Sequence, residues 1–137
     1  MRGFAVTNDC AQKAGYAAPS ARGQSNAIVA ALKMMYEDLW SISYVEAHCT
    51  RVGDGIEVRG LIHAFPAAGG KARPDLNVAR GSVKWNIAHA NCAAGATGFI
   101  KTLMLLLSHQ LVPVANISKL NPKISLEETP WALLREP

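Results

Sequence analysis

The stretch SVKWNIAHANCAAGATGFIKTLMLLLSH, residues 82–109, decides how this chain is read. Its first six residues set Val83, Trp85 and Ile87 against Lys84 and Asn86, the period-two alternation of a half-buried strand. From residue 93 to residue 109 the alternation gives way to a run that is apolar nearly all round, with Lys101 as its charged interruption. Such a run predicts a buried core helix. It is too short and too interrupted to predict a membrane span. A strand feeding a helix is the repeating step of an α/β layer, and His89 stands at the joint between the two.

Working outward, residues 42–47 are rich in β-branched and aromatic side chains and predict a second strand, with His48 directly after it. Residues 56–65 predict a helix that places Ile56, Gly60, Leu61 and Ala64 on one face. Ser20 is a suitable N-cap for a helix over 20–36, whose apolar face holds Ile28, Leu32 and Met35. Residues 3–8 form a short apolar run that predicts a further strand. Residues 11–19 are punctuated by Gly15 and Pro19 and predict a loop, and residues 66–75, with prolines, two glycines and basic side chains, predict a surface loop. The resulting order of strand, helix, strand, helix, strand, helix predicts an α/β layered sheet.

Composition bounds the function classes. The chain has 137 residues, half of them hydrophobic and 18% charged, so it is a globular composition with enough material for one core rather than a disordered tail. A net charge of +4 is mild. It suits an acidic carrier or a phosphate-bearing ligand and does not predict nucleic-acid or membrane partners. Residues 1–9 carry one Arg and no long apolar stretch, so no secretion signal is expected there. The three cysteines are odd in number and widely spaced, which fits free thiols in a reducing cytoplasm. No G-x-G-x-x-G, P-loop or G-x-S-x-G pattern occurs. His48, Cys49, His89 and Cys92 lack the usual spacing of a zinc set, so no metal site is expected.

In α/β sheets, ligands gather at the carboxyl ends of the strands. Two expected strand ends here carry histidines, His48 and His89. His89 also lies next to a helix N-terminus, with Lys84 nearby, and both positive influences disfavour an imidazolium. A neutral imidazole can donate a hydrogen bond to a carbonyl oxygen as negative charge builds on it, which decarboxylation and enolate chemistry require. Glu46 and Glu57 read as structural carboxylates rather than an acid/base pair. Cys49 lacks the signs of an activated nucleophile. His63 and His109 fall on helices as surface or packing residues. Lys71, Arg73 and Arg80 flank the expected surface loop, where solvated side chains are the simple reading and contact with an acidic carrier the alternative.

These residues stand in recognisable runs. SYVEAHCT at 43–50 resembles the first histidine motif of the β-ketoacyl synthases, and GSVKWNIAHANCAAG at 81–95 resembles their lysine and second-histidine motif. GYAAPSARGQ at 15–24, GDGIEV at 53–58, GFIKTLMLL at 98–106 and LNPKI at 120–124 match in the same order. The form of the second motif, with GYAAPS upstream, is similar to the ketosynthase domains of large type I polyketide synthases more than to free-standing fatty-acid enzymes.

The resemblance implies a partial thiolase-like fold, the C-terminal half of a layered α/β/α/β/α sandwich. It implies a decarboxylative Claisen condensation of acyl and malonyl-type thioesters, with His48 and His89 as the catalytic histidines and Lys84 supporting the second. No tightly bound cofactor is implied; phosphopantetheine arrives on an acyl carrier protein or domain. The implied partners are that carrier, the remaining half of the ketosynthase and a second copy of the full domain, in the cytoplasm.

The departures are equally specific. The family's cysteine nucleophile belongs to an upstream half, and Cys10, Cys49 and Cys92 stand outside its motif. The family's closing glycine-rich strand is also absent, so residues 1–137 are expected to be a partial domain. The loop after His48 is two residues shorter than the family's, with Cys49 and Arg51 in place of glycines. Ala88 and Cys10 likewise replace glycines, and Trp85 replaces a small or polar residue. Glycines in such loops commonly serve φ > 0. Condensation by the isolated chain is therefore not expected, and a non-catalytic remnant or interaction module that keeps the fold is the alternative reading.

Overall fold

A computed structural model describes residues 1–11, 13–35, 38–49, 54–70, 78–116, 126 and 129–133. The elements are α1 (Ala21–Lys33), β1 (Tyr44–Glu46), α2 (Asp54–Ala67), β2 (Val78–Gly81), α3 (Lys84–Ile87), α4 (Ala94–Ser108) and β3 (Trp131–Leu133), with short 3₁₀ turns at Leu39–Ser41 and Asn91–Ala93. The three strands form one parallel sheet in the order β1-β2-β3. Tyr44 pairs with Ala79 and Glu46 with Gly81 on one side of β2, and Val78 pairs with Trp131 on the other. An α/β fragment with a parallel sheet is thus what the sequence order predicts.

α1 begins where its cap predicts. Ser20 is extended, and its hydroxyl oxygen accepts a hydrogen bond from the Gly23 N–H at 3.1 Å, which satisfies one of the free donors of the first turn. α1 packs against α2. At the crossing Gly60 stands where a Cβ would meet the Gln24 Cβ at 3.2 Å and the Ala21 carbonyl oxygen at 3.3 Å. The core forms between α2 and the sheet from Leu61, Phe65, Val78 and Trp131, joined by Ile28, Leu32 and Val45. Phe65 meets Trp131 edge-to-face with ring centroids 4.8 Å apart, a favoured aromatic geometry.

Four expectations are corrected. Residues 3–8 form no strand; they run beside α1, with Gly3 so close that a Cβ would collide with the Ala31 carbonyl, while Val6 is exposed. An apolar run makes a strand only where it pairs with a sheet edge, and this one lies against α1 instead. The strand expected at 82–87 lies earlier, at Val78–Gly81, and Lys84–Ile87 is a single helical turn. All four residues of β2 are buried. A central parallel strand is covered on both faces and shows no alternation, and Arg80 disguised its apolar character.

The 93–109 helix is present as α4, but it is not buried. Only Ala94, Gly98 and Leu105 are buried on it, while Leu106 and Leu107 are 65% and 82% exposed. The helical stretch Asn91–Ser108 has 18 residues and a mean hydropathy of 1.2, so by length and composition it reaches the lower limit for a membrane span. Lys101 in its middle is, however, held by an ion pair to Glu46 within the protein. The loop expected from residue 66 begins later, since Pro66 and Ala67 complete α2. Residues 71–75 of that loop, the 50–53 loop and the LNPKI run at 120–124 lie outside the described residues.

Candidate active site

The parallel sheet brings two chain segments to one edge. Beyond β1 the Ala47 N–H donates to the Gly81 carbonyl oxygen at 2.8 Å, so the carboxyl ends of β1 and β2 are level. His48 leaves the first end. From the second, the chain turns through Ser82 and Val83 into α3 and reaches His89 after Ala88. The imidazole rings of His48 and His89 meet edge-to-face with centroids 5.2 Å apart and an interplanar angle of 84°. Both residues are exposed. The sequence therefore placed both histidines at one edge of the sheet, and the structure brings them together.

The ring of His89 has a defined acceptor side. The Asn91 N–H donates to His89 Nδ1 at 3.0 Å. That nitrogen must be unprotonated to accept, so the neutral ring carries its proton on Nε2, free to donate elsewhere. Lys84 opens α3, the turn that leads to His89. With His48 it lines an open groove of about 470 Å³, whose wall also includes Glu46, Asn91, Phe99 and Thr102.

Two carboxylates surround the histidines. Glu57, on α2, accepts the backbone N–H groups of both His48 at 2.6 Å and Cys49 at 2.9 Å, one on each oxygen. Glu46 accepts the Val83 N–H at 2.5 Å and the Tyr44 hydroxyl, and pairs with Lys101 Nζ at 3.0 Å. Burial first, then the hydrogen bond to Glu46 and the charge on that carboxylate, pushes the Tyr44 hydroxyl far above the usual tyrosine range. Glycines make room for this cluster: a Cβ at Gly81 would strike the Tyr44 hydroxyl, and one at Gly98 would press on the Glu46 Cγ at 3.2 Å. Reading the two glutamates as structural carboxylates agrees with these contacts. The bidentate reach of Glu57 onto the histidine loop was not visible in the sequence. Its one signal was a carboxylate in the first turn of the helix after that loop.

Arg80 is corrected from loop flank to core. It is 1% exposed in β2, and its Nη2 lies 3.0 Å from the Cys49 sulfur, while its Nε has no partner among the described residues. Lys71 and Arg73 lie outside the described residues, as do Thr50, Arg51 and Val52. His63 is exposed on α2, and His109 ends α4 in the left-handed conformation. At the described positions where side chains replace expected glycines, the backbone is of the glycine type: φ is +45° at Cys10, +43° at Cys49 and +62° at Ala88.

Beyond the carboxyl ends of two parallel strands the chain sets two facing histidines, with Lys84 in the adjoining groove, and comparison with known proteins gives its family. The family described as "Beta-ketoacyl synthase, C-terminal domain" matches residues 1–118, and the chain belongs to this family. It is 38% identical over 138 residues to polyketide synthase PksN of Bacillus subtilis (strain 168), covering 99% of this chain and 2% of that protein. To polyketide synthase ThaG of Burkholderia thailandensis it is 42% identical over 123 residues, covering 88% of this chain and 2% of that protein. Among solved structures, ketosynthase twelve of the bacillaene polyketide synthase of Bacillus amyloliquefaciens superposes with a TM-score of 0.89 at 36% identity, over 98% of this chain and 24% of that one. The oxazolomycin ketosynthase domain OzmH KS7 of Streptomyces albus JA3453 does so with a TM-score of 0.91 at 34% identity, again over 98% and 24%. The chain thus has a partial thiolase-like ketosynthase fold and spans about a quarter of those ketosynthase chains.

Proposed function

We propose that this chain supplies the histidine half of a polyketide-type β-ketoacyl synthase site, in which His48 and His89 bind the carbonyl oxygen of a malonyl-type thioester. The observation that carries the reading is the 5.2 Å approach of the two rings at the carboxyl edge of the sheet, with the Asn91 N–H held on Nδ1 of His89. When the C–C bond to the carboxylate breaks and CO₂ leaves, its electron pair passes into the thioester as an enolate. Donation from Nε2–H of His89, with His48 beside it, stabilises the developing oxyanion. The enolate carbon then attacks an acyl thioester and expels a thiolate. Lys84 keeps the groove positive and supports the segment that carries His89.

In this reading the acyl group sits on a cysteine of the remaining ketosynthase half. The malonyl group arrives on the phosphopantetheine arm of an acyl carrier protein or domain. No other cofactor or metal is needed, the full domain pairs with a second copy, and the assembly works in the cytoplasm. Cys10, Cys49 and Cys92 take no part in the acyl transfer; Cys49 is buried against Arg80 and does not line the groove.

The alternative, a non-catalytic remnant or interaction module that keeps the ketosynthase fold, is favoured by one observation: side chains at Cys49 and Ala88 occupy glycine-type backbone beside both histidines. The discriminating experiment supplies the chain, alone and joined to a ketosynthase N-terminal half, with carrier-bound malonyl and acyl thioesters, and analyses products by mass spectrometry. The enzyme reading expects no condensation by the chain alone and product from the joined domain. No product from a correctly folded joined domain selects the remnant.

A further inference from the structure

We propose that Glu57 and Glu46 are the positioning residues of the two-histidine site, each holding the backbone of one of its two segments through a carboxylate. Glu57 reaches from α2 to the first segment. Its two oxygens separately take the N–H groups of His48 and Cys49, at 2.6 and 2.9 Å. Consecutive amides bound by one carboxylate fix the peptide between them in direction as well as place, and charge-assisted hydrogen bonds are about twice as strong as neutral ones. This matters at His48 because Cys49 has φ of +43°, a conformation that a residue with a side chain leaves readily unless it is held.

Glu46 acts on the second segment. It lies two residues before His48, and its Oε1 takes the N–H of Val83, the residue that caps α3 and has no side-chain cap of its own. Its Oε2 is anchored by the Tyr44 hydroxyl and by Lys101 from α4. Gly81 and Gly98 leave the space for this anchor. The carboxylate is thereby a strut joining β1, the start of α3 and α4. The segment from Val83 to His89 is set relative to the strand that carries His48. Glu57 does not line the groove, and Glu46, which does, has its oxygens taken by the Val83 N–H, the Tyr44 hydroxyl and Lys101, so both act through the segments that carry the histidines.

The proposal rests on the ketosynthase reading only in taking His48 and His89 as the working residues. Its test needs no substrate, so its failure is separable from failure of that reading. Hydrogen exchange is measured by mass spectrometry at single amides and at the imidazole C2–H of each histidine. It is compared between the unaltered chain and the Glu57→Gln, Glu57→Ala and Glu46→Gln variants. Glutamine keeps the volume of glutamate but loses the charge and one acceptor, so a role as mere packing would leave it silent.

For Glu57→Gln we expect exchange of the His48 or Cys49 amide to rise about tenfold or more, the equivalent of one lost charge-assisted hydrogen bond. Glu57→Ala should release both amides, and the Val83 amide should stay protected. Glu46→Gln should release Val83 and spare the other two. Imidazole exchange should change several-fold at His48 and His89 together, because their rings touch, and stay fixed at His63 and His109. Unchanged rates at His48, Cys49 and Val83 in the glutamine variants would overturn the proposal. So would a uniform rise across α1 and α2, which would make the carboxylates general supports of the fold.

Discussion

Ala88 sits at φ +62° and ψ −170°, a region of backbone space that is almost the preserve of glycine. It is exposed, so little packing depends on its methyl group. Ala88→Gly should therefore stabilise the chain by about 1 kcal/mol after the entropic cost of glycine; a lower denaturant midpoint would contradict the strain. Cys49 differs, because its sulfur accepts a hydrogen bond from the buried Arg80 guanidinium. Cys49→Ala should cost on the order of 1–3 kcal/mol by leaving a buried cation without that acceptor. Adding Arg80→Leu should recover most of the loss, since a well-packed apolar residue replaces a buried charge at little cost. Chemical denaturation of the two single variants and the double variant gives the cycle, and additive losses would refute the coupling. Tyr44 adds a pH dependence. Its hydroxyl is held protonated in the fold, so the folded state binds more protons than the unfolded one once pH exceeds the ordinary tyrosine value, about 10. The stability from that proton is whole below this pH and falls above it. Tyr44→Phe should flatten the alkaline fall in a melting series; an identical fall would contradict the assignment. At this scale the sequence exposed the histidines because their neighbours form motifs. It hid the reach of Glu57 onto the histidine loop, because that side chain acts on backbone N–H groups, which leave no mark on residue type.

The longer helices and β1 were legible from caps, periodicity and β-branched composition, and β2 and β3 were not. Ser20 marked the start of α1, and the apolar face of α2 was read at Leu61 and Ala64, both buried. β2 was displaced by four residues because alternation is a property of half-buried strands, and β2 is buried throughout. α4 was read with the right length and the wrong surroundings. Its pattern called for cover on all sides, but within this chain the sheet meets the stripe of Ala94, Gly98 and Leu105 and leaves Phe99, Ile100, Leu103, Met104, Leu106 and Leu107 exposed. Contiguous apolar surface on that scale is unusual for a monomer and favours association. The isolated chain should self-associate in sedimentation velocity and bind an apolar dye. Leu103→Lys with Leu107→Lys should shift it towards the monomer with α4 intact. A clean monomer with a sharp two-state melt before any substitution would contradict the account.

For the whole molecule, the layered α/β reading followed from the order of expected strands and helices, and the ketosynthase kinship from ordered motifs across nearly the full chain. The meeting of His48 and His89 required the sheet, because strand register alone makes the two ends level. That meeting gives the central claim: one thioester oxygen is held by two histidines of this chain. The direct measurement is CO₂ release from a ¹³C-labelled, carrier-bound malonyl thioester by the chain joined to a ketosynthase N-terminal half. His89→Ala and His48→Ala are to be compared with His63→Ala as control. Losing one oxyanion donor costs on the order of 100-fold or more in rate. The account predicts that loss for each of His89→Ala and His48→Ala, with His63→Ala at the unaltered rate. Equal rates in all three variants, from a joined domain that still releases CO₂, would contradict it.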